Sequence, residues 1–361
     1  LSDHLTTRAL NRATLARQHL LGRSSIPVPD MIDHLVGMQA QNPLDPYYGL
    51  WARIDGFEPG ELSTMIEHRS AVRTAFLRAT IHLVTSRDLL VLDKTIRPVS
   101  TRVFNSTSFA RDVAGMEMDE LIAAGRKILD EKPRSRADLS KLLADIWPDR
   151  DPQSMAMAVT YNLALVQVPP RGLWEGKGVA KWATVQTWLG AEIDGKPAPD
   201  LLALRYLAAL GPATTADMRT WSGVTGLGGI FDRLGAQLRT FRDDEGRVLF
   251  DLPDAPRPGP DIPAPPRFLP EYDNVLLGHA DRSRVIGPDA RPPGWAGNLL
   301  HDGFLVASWK LDRAKAGARI DIRPFQAMGK RAAAEVGDEA ARLLEQIAPG
   351  QENQVGFGSP S

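Results

Sequence analysis

Apolar positions along the chain recur mostly at helical spacing, interrupted by short extended runs. Leu10, Ala13, Leu20 and Leu21, with Arg17 among them, form a partly apolar stripe that predicts a first helix over about 7–21. Pro27 and Pro29 interrupt it. Ile32, Leu35 and Val36 predict a second helix over about 29–38, with Gly37 placed to end it. The run Gln39-Ala40-Gln41-Asn42-Pro43 cannot stay helical into its proline. Short helices are predicted over 47–51 and 59–67, the latter turning Leu62, Met65 and Ile66 inward. Residues 71–84, rich in Val, Thr, Phe and Ile, read as an extended ribbon. Its alternation puts Thr74, Phe76, Arg78, Thr80 and His82 on one face. Helices followed by a short ribbon is the order of a winged helix.

That order recurs. Helices are predicted over 118–130, 136–145 and 153–166, then a Gly-rich ribbon over 170–189 that carries Trp174, Trp182 and Trp188. A third set covers 201–210, 215–221 and 226–238, and a hairpin over 239–252 turns at Asp243-Asp244-Glu245-Gly246. Internal similarity supports repetition. Pro133-Arg134-Ser135-Arg136-Ala137-Asp138-Leu139 and Pro212-Ala213-Thr214-Thr215-Ala216-Asp217-Met218 share the pattern P-x-[ST]-x-A-D-[LM] at an offset of 79 residues. Ser135 and Thr214 are natural N-caps for the helices that follow. Residues 253–266 hold seven prolines and read as an extended linker. Beyond it, strands are predicted over 268–286, 303–311 and 318–323, then a helix over 325–347 and a disordered last dozen residues. The expected fold class is α+β and mainly helical. The expected units are 1–112, 113–195 and 196–255, followed by 256–361 with the linker, a β-rich domain and a terminal helix.

Composition narrows the chemistry. At 361 residues with 43% hydrophobic and 24% charged positions the chain is ordinary for a globular protein of several units. No stretch is apolar enough to span a bilayer, and the first residues lack the order of a secretory signal, so a soluble, cytoplasmic protein is expected. The absence of cysteine excludes disulfides, thiolate nucleophiles and cysteine-based zinc sites. The seven histidines form no H-x-x-x-H or H-E-x-x-H pair, and no metal or other cofactor is expected. A formal net charge of −1 argues mildly against a nucleic-acid binder, although a balanced total can hide a polarised surface. Arg8, Arg12, Arg17 and Arg23 form one basic run and Arg69, Arg73 and Arg78 another; the plain reading of each is a solvated face. Signatures of nucleotide-driven catalysis, serine hydrolysis and Rossmann cofactors are missing.

The most informative constellation is Gln39-Ala40-Gln41. On an extended backbone residues two apart point to the same side, so two carboxamides would stand together at a helix end. Amides are poor bases, but they can fix a water and favour a nearby cation. The alternative is that both satisfy loop backbone groups or face solvent.

Five segments then lie in one order: Val36 through Pro43; Thr74 through Arg78-Ala79-Thr80-Ile81-His82-Leu83-Val84; Gly211 through Asp217, with Trp221 after it; Leu269-Pro270-Glu271-Tyr272-Asp273-Asn274 through Ser283; and Asp302-Gly303-Phe304 through Trp309. Together they resemble the family of winged-helix DNA glycosylases that includes AlkZ and the bacterial YcaQ protein. The resemblance implies tandem winged-helix domains closed by a small C-terminal β-barrel. It also implies excision of N7-alkylated, cationic purines from duplex DNA, for DNA repair or for self-resistance to a DNA-alkylating natural product. The family's Q-x-Q motif falls on Gln39 and Gln41. The YcaQ branch carries an aspartate at the second position, so Gln41 places the chain with the AlkZ branch, whose substrates include bulky adducts and interstrand crosslinks.

Around this catalytic pair the supporting candidates are Asn42 to orient the glutamines, Arg78 to contact phosphate and His82 to shape the site. Arg134 and Arg136 are candidates to meet phosphate at a helix N-terminus. A structural histidine and solvated charge are the plain alternatives. Asp281 and Arg282 read as a structural pair. The reading is a monofunctional glycosylase that acts as a monomer on double-stranded DNA. The alternatives are a winged-helix transcription regulator without chemistry and a protein-interaction scaffold.

Overall fold

The computed structural model describes residues 4–288, 290, 296–314 and 317–360. The first helix, Thr7–Arg17, starts where Thr6 accepts a hydrogen bond from Ala9 N, and it buries nearly its whole circumference. Its arginines are structural rather than solvated. Arg17 pairs with Asp251 at 2.6 and 2.8 Å with both side chains fully buried. Arg12 is fully buried, donates to Ile262 O at 2.6 Å and pairs with Asp302. Arg8, Arg12 and Arg17 each hold a carbonyl of the proline-rich 253–266 segment (Pro260, Ile262 and Pro256), which is thereby strapped to the first helix.

Helices Val28–His34, Asp45–Trp51 and Pro59–Glu67 follow, the last opening on a capping box between Glu58 and Glu61. The ribbon expected over 71–84 is two strands, Ala71–Ala75 and Ile81–Thr85, parted by a tight turn. After it runs a 20-residue helix, Ser86–Asn105, to which the sequence reading assigns no element. Pro98 lies in its interior, yet Leu89, Leu92, Ile96 and Val99 keep helical spacing and are buried.

Helices Met118–Glu131, Arg136–Ile146 and Pro152–Asn162 pack on one another, and Leu165 and Val166, expected to end the last, belong instead to the strand Leu165–Gln167. Helices Pro199–Leu210, Thr215–Ser222 and Leu227–Leu234 and the hairpin Arg239–Arg242 with Val248–Asp251 match expectation closely. Both copies of the repeated motif form capping boxes, Ser135 with Asp138 and Thr214 with Asp217.

Two sheets organise the chain. One has six strands in the order Met38–Gln39, Ile81–Thr85, Ala71–Ala75, Leu165–Gln167, Lys181–Thr184 and Arg134–Ser135. It draws strands from both sides of the boundary expected at 112/113. The other has five strands in the order Gln354–Phe357, Gly317–Pro324, Phe304–Ala314, Gly297–His301 and Arg267–Leu269. The expected β-barrel is therefore an open sheet, whose outer strands do not pair with each other among the described residues. Helix Lys330–Ile347 covers one face, burying Val336, Ala340, Leu343, Leu344 and Ile347 against Ala318, Ile320 and Ile322, so the apolar face is satisfied without closure. The last dozen residues, expected to be disordered, include the strand Gln354–Phe357, which pairs in parallel with Gly317–Pro324. This C-terminal layer shares its core with residues 28–83, bringing Trp309 against Tyr48 on one side and Phe268 on another.

Candidate active site

Gln39 leaves the second helix in a short strand, Met38–Gln39, and Gln41 follows it in a bend rather than on the continued extended backbone the sequence suggested. Val36 and Gly37 both take positive φ, 55° and 91°. A Cβ on Gly37 would fall 2.6 Å from Val84 Cγ1, so glycine is needed to pass this corner. Met38–Gln39 pairs antiparallel with Ile81–Thr85, setting Gln39 opposite His82. Asn274, from the segment after Arg267–Leu269, donates its Nδ2 to Leu35 O at 3.2 Å and Gly37 O at 2.8 Å, splinting the corner from outside.

Both glutamines reach the turn over residues 76–81. Arg78 and Ala79 hold positive φ there, 55° and 59°. Left-handed residues break the two-residue period, so the expected single face of Thr74, Phe76, Arg78, Thr80 and His82 does not form. Arg78 folds inward. Its Nη2 donates to Gln39 Oε1 at 2.7 Å and its Nη1 donates to Trp221 O. Gln41 Oε1 accepts from Ile81 N at 3.1 Å. A guanidinium and a backbone N–H can only donate, so these contacts fix which end of each amide is the oxygen. Both carboxamides anchor through oxygen and keep their N–H groups for whatever enters the site. Gln39 is 6% exposed, whereas Gln41 is open to solvent.

Burial, then the nearby Arg282, lowers the Arg78 guanidinium to about 10, so it stays cationic at neutral pH. His82 is fully buried. Its Nδ1 lies 3.0 Å from Thr80 O, and its Nε2 has no partner among the described residues. Burial, then Arg78, pushes the imidazole down to about 3, so it is neutral and donates from Nδ1. Asn42 is exposed, and its Oδ1 accepts from Leu44 N at 3.2 Å; it closes its own turn and makes no hydrogen bond to either glutamine. Arg134 and Arg136 are not brought to the glutamines. Arg134 pairs with Glu131 at 3.3 Å, and Arg136 lies over Trp182 at 5.1 Å, half-buried. Asp281 pairs with Arg247 at 2.7 Å, where the sequence suggested Arg282.

The sequence reading passed over the carboxylates beside the glutamines. Asp45, first residue of the helix Asp45–Trp51, is 4% exposed and its Oδ2 has no hydrogen-bond partner. Burial, then Glu271 and Asp273, pushes its carboxyl up to about 8. Asp273 is held by Arg53 at 2.6 and 2.9 Å, with both side chains buried. Asp45 and Gln39 line one small hollow of about 10 Å³ together with Tyr272, Asp273 and Arg53. Asp45 also lines a wider cavity of about 240 Å³, with Tyr48, Glu271, Trp309 and Lys310. A sequence signal existed in Glu271-Tyr272-Asp273-Asn274, a polar run directly after a strand. Among the described residues, no helix is long and apolar enough to cross a membrane.

No match was found among curated proteins. Among solved structures, the Streptomyces sahachiroi DNA glycosylase AlkZ superimposes with a TM-score of 0.74 at 22% identity, over 98% of this chain and 100% of that one, which establishes a common fold. The family model described as "DNA glycosylase AlkZ-like" matches residues 32–346, a span that takes in both glutamines, the turn at Arg78, and Asp273 and Asn274. By that match, the chain belongs to the AlkZ-like DNA glycosylase family.

Proposed function

We propose that the chain is a monofunctional DNA glycosylase that hydrolyses the N-glycosidic bond of N7-alkylated, cationic purines in duplex DNA, bulky and crosslinked adducts included. The observation that carries this reading is the pair of carboxamides at one turn, anchored through oxygen with N–H groups outward. A cationic purine is already a good leaving group. Departure develops oxocarbenium character at the sugar, and a held water completes the displacement. An amide N–H holds a water through one lone pair and leaves the other for attack. Arg78 fixes the Gln39 oxygen, the neutral His82 keeps a second cation out of the strand pair, and Asn42 shapes the exit from the motif.

In this reading, the helix-rich units 1–112, 113–195 and 196–255 are winged helices of a monomer that works in the cytoplasm. Arg134 and Arg136 reach backbone phosphate from the opposite edge of the sheet that carries Gln39. Five strand spacings of ~4.8 Å put those edges roughly 24 Å apart, a reach of about seven base pairs.

The test is single-turnover release of base from a duplex carrying one N7-methylguanine or one bulky N7 adduct. Wild type releases base without cutting the strand, and borohydride traps no covalent adduct through Lys310 or any other lysine. The Gln39→Ala/Gln41→Ala variant, still folded, is slower by about 10²–10³-fold, the scale of losing a preorganised hydrogen-bonding group. Duplex binding without release of either base would replace this reading with a non-catalytic DNA-binding regulator.

A further inference from the structure

The two glutamines leave one task undone. Their oxygens already accept from Arg78 and from Ile81 N, so neither amide is well placed to take a proton from an attacking water. The hollow beside Gln39, about 10 Å³, is the size of roughly one water. Across it stands Asp45, 96% buried, with no ion-pair partner among the described residues and with Oδ2 unpartnered. The other acid of the hollow, Asp273, is held on both oxygens by Arg53. Glu271 lines only the outer cavity.

Resting on the glycosylase reading, we propose that Asp45 is the proton acceptor of this site, taking the proton of a water held between it and Gln39. In the step, the water oxygen bonds to C1′ and the C1′–N9 bond breaks. The bonding pair leaves with the purine and cancels its positive charge. One water proton passes to the Asp45 carboxylate and the other stays as the sugar hydroxyl. The open face of Asp45 adjoins the cavity walled by Tyr48 and Trp309 with Glu271 at its rim, a setting that favours a flat cation. Substrate and proton acceptor are thereby linked, because a cationic base entering beside Asp45 stabilises its charged form.

The groups facing Asp45 are Glu271, Tyr272 and Asp273 from the loop after Arg267–Leu269, Arg53 beyond its own helix, Tyr48 on that helix, and Lys310 on Phe304–Ala314. Arg53 is engaged by Asp273, and the two nearby acids favour the protonated form. The free carboxyl therefore titrates near 8, and the active species is the ionised one.

The experiment follows single-turnover release of N7-methylguanine from a labelled duplex between pH 6 and 9, corrected for spontaneous loss, in wild type, Asp45→Asn and Asp45→Glu. Wild type is expected to speed up about tenfold per pH unit below the Asp45 titration and then level off, the plateau starting at or below about 8. Asp45→Asn keeps duplex binding and melting temperature, is about 10²-fold slower at the plateau and loses the slope. Asp45→Glu regains the slope at a lower rate. A wild-type slope retained in Asp45→Asn, or a rate within twofold of wild type, overturns the assignment and leaves the glycosylase reading standing. No release by wild type overturns both.

Discussion

The segment from Phe104 to Leu165 and the segment that bears the glutamines bury their apolar surface in different ways. The first packs a core almost entirely from its own residues, Leu121, Leu129, Leu139, Leu143, Met155 and Val159 among them. The second shares its core with residues more than 200 positions away, on the C-terminal sheet and the helix Lys330–Ile347. The repeated capping motif shows the contrast at single residues. Asp138 is on the surface and bonds only within its own box. Asp217 is 4% exposed, and its second oxygen also accepts from Ala280 N at 2.9 Å. The same local code serves one unit as a helix start signal and the other as a weld as well. The candidate site lies in the welded part.

Three experiments would break or sharpen that contrast. The largest effect is expected from Arg17→Ala, which takes the bidentate partner from a fully buried Asp251, leaving it Arg257 as its one remaining ion pair among the described residues, and loosens the proline-rich strap. A loss of about 3–5 kcal/mol in urea unfolding is expected, with the melting of the 104–165 core less affected. Next, Asp217→Ala loses about 2 kcal/mol, because it dissolves the capping box with Thr214 and takes the partner from the part-buried Ala280 N–H bond. Asp138→Ala has a smaller effect, and equal losses in the two variants would erase the distinction. The smallest effect per group concerns acid. Burial pushes His82 and His279 down to about 3, while the unfolded chain takes up these protons near 6.5. Each therefore contributes stability that is present above pH 6.5 and is lost as pH falls towards 3, about 2 kcal/mol by pH 5. Residues 104–165 contain no histidine. Hydrogen exchange at pH 5 should open the region around the glutamines first and leave the 104–165 helices comparatively protected.

Local signals carried much of this architecture. The capping boxes, the hairpin over 239–252 and the helices over 59–67 and 199–210 follow from spacing and turn residues, because their partners lie within a few positions. The corner at Gln39 was legible too, since Gly37 and Pro43 bracket it. What stayed hidden depends on distant partners. Arg12 and Arg17 look like solvated charge until Asp302 and Asp251 arrive. Asp45 looks like a helix-start residue until Glu271 and Asp273 surround it. Arg78 on an unbroken ribbon would face outward, and only the two left-handed residues at the turn send it to Gln39. The C-terminal sheet was expected to close because the family resemblance implied a barrel, and strand patterns alone do not say whether a helix will cover their apolar face instead.

The splint from Asn274 to Leu35 and Gly37 joins positions 239 and 237 apart in the chain. At roughly 5–20 residues per second, a ribosome needs about 12–50 s to travel that distance. Throughout that interval the corner beneath Gln39 lacks its outer support, and Asp45 lacks the neighbours that raise its titration. A chain interrupted before residue 270 would carry the whole Q-x-Q motif without its splinted corner, so under the proposed function competence arrives only after about three quarters of the chain has been made.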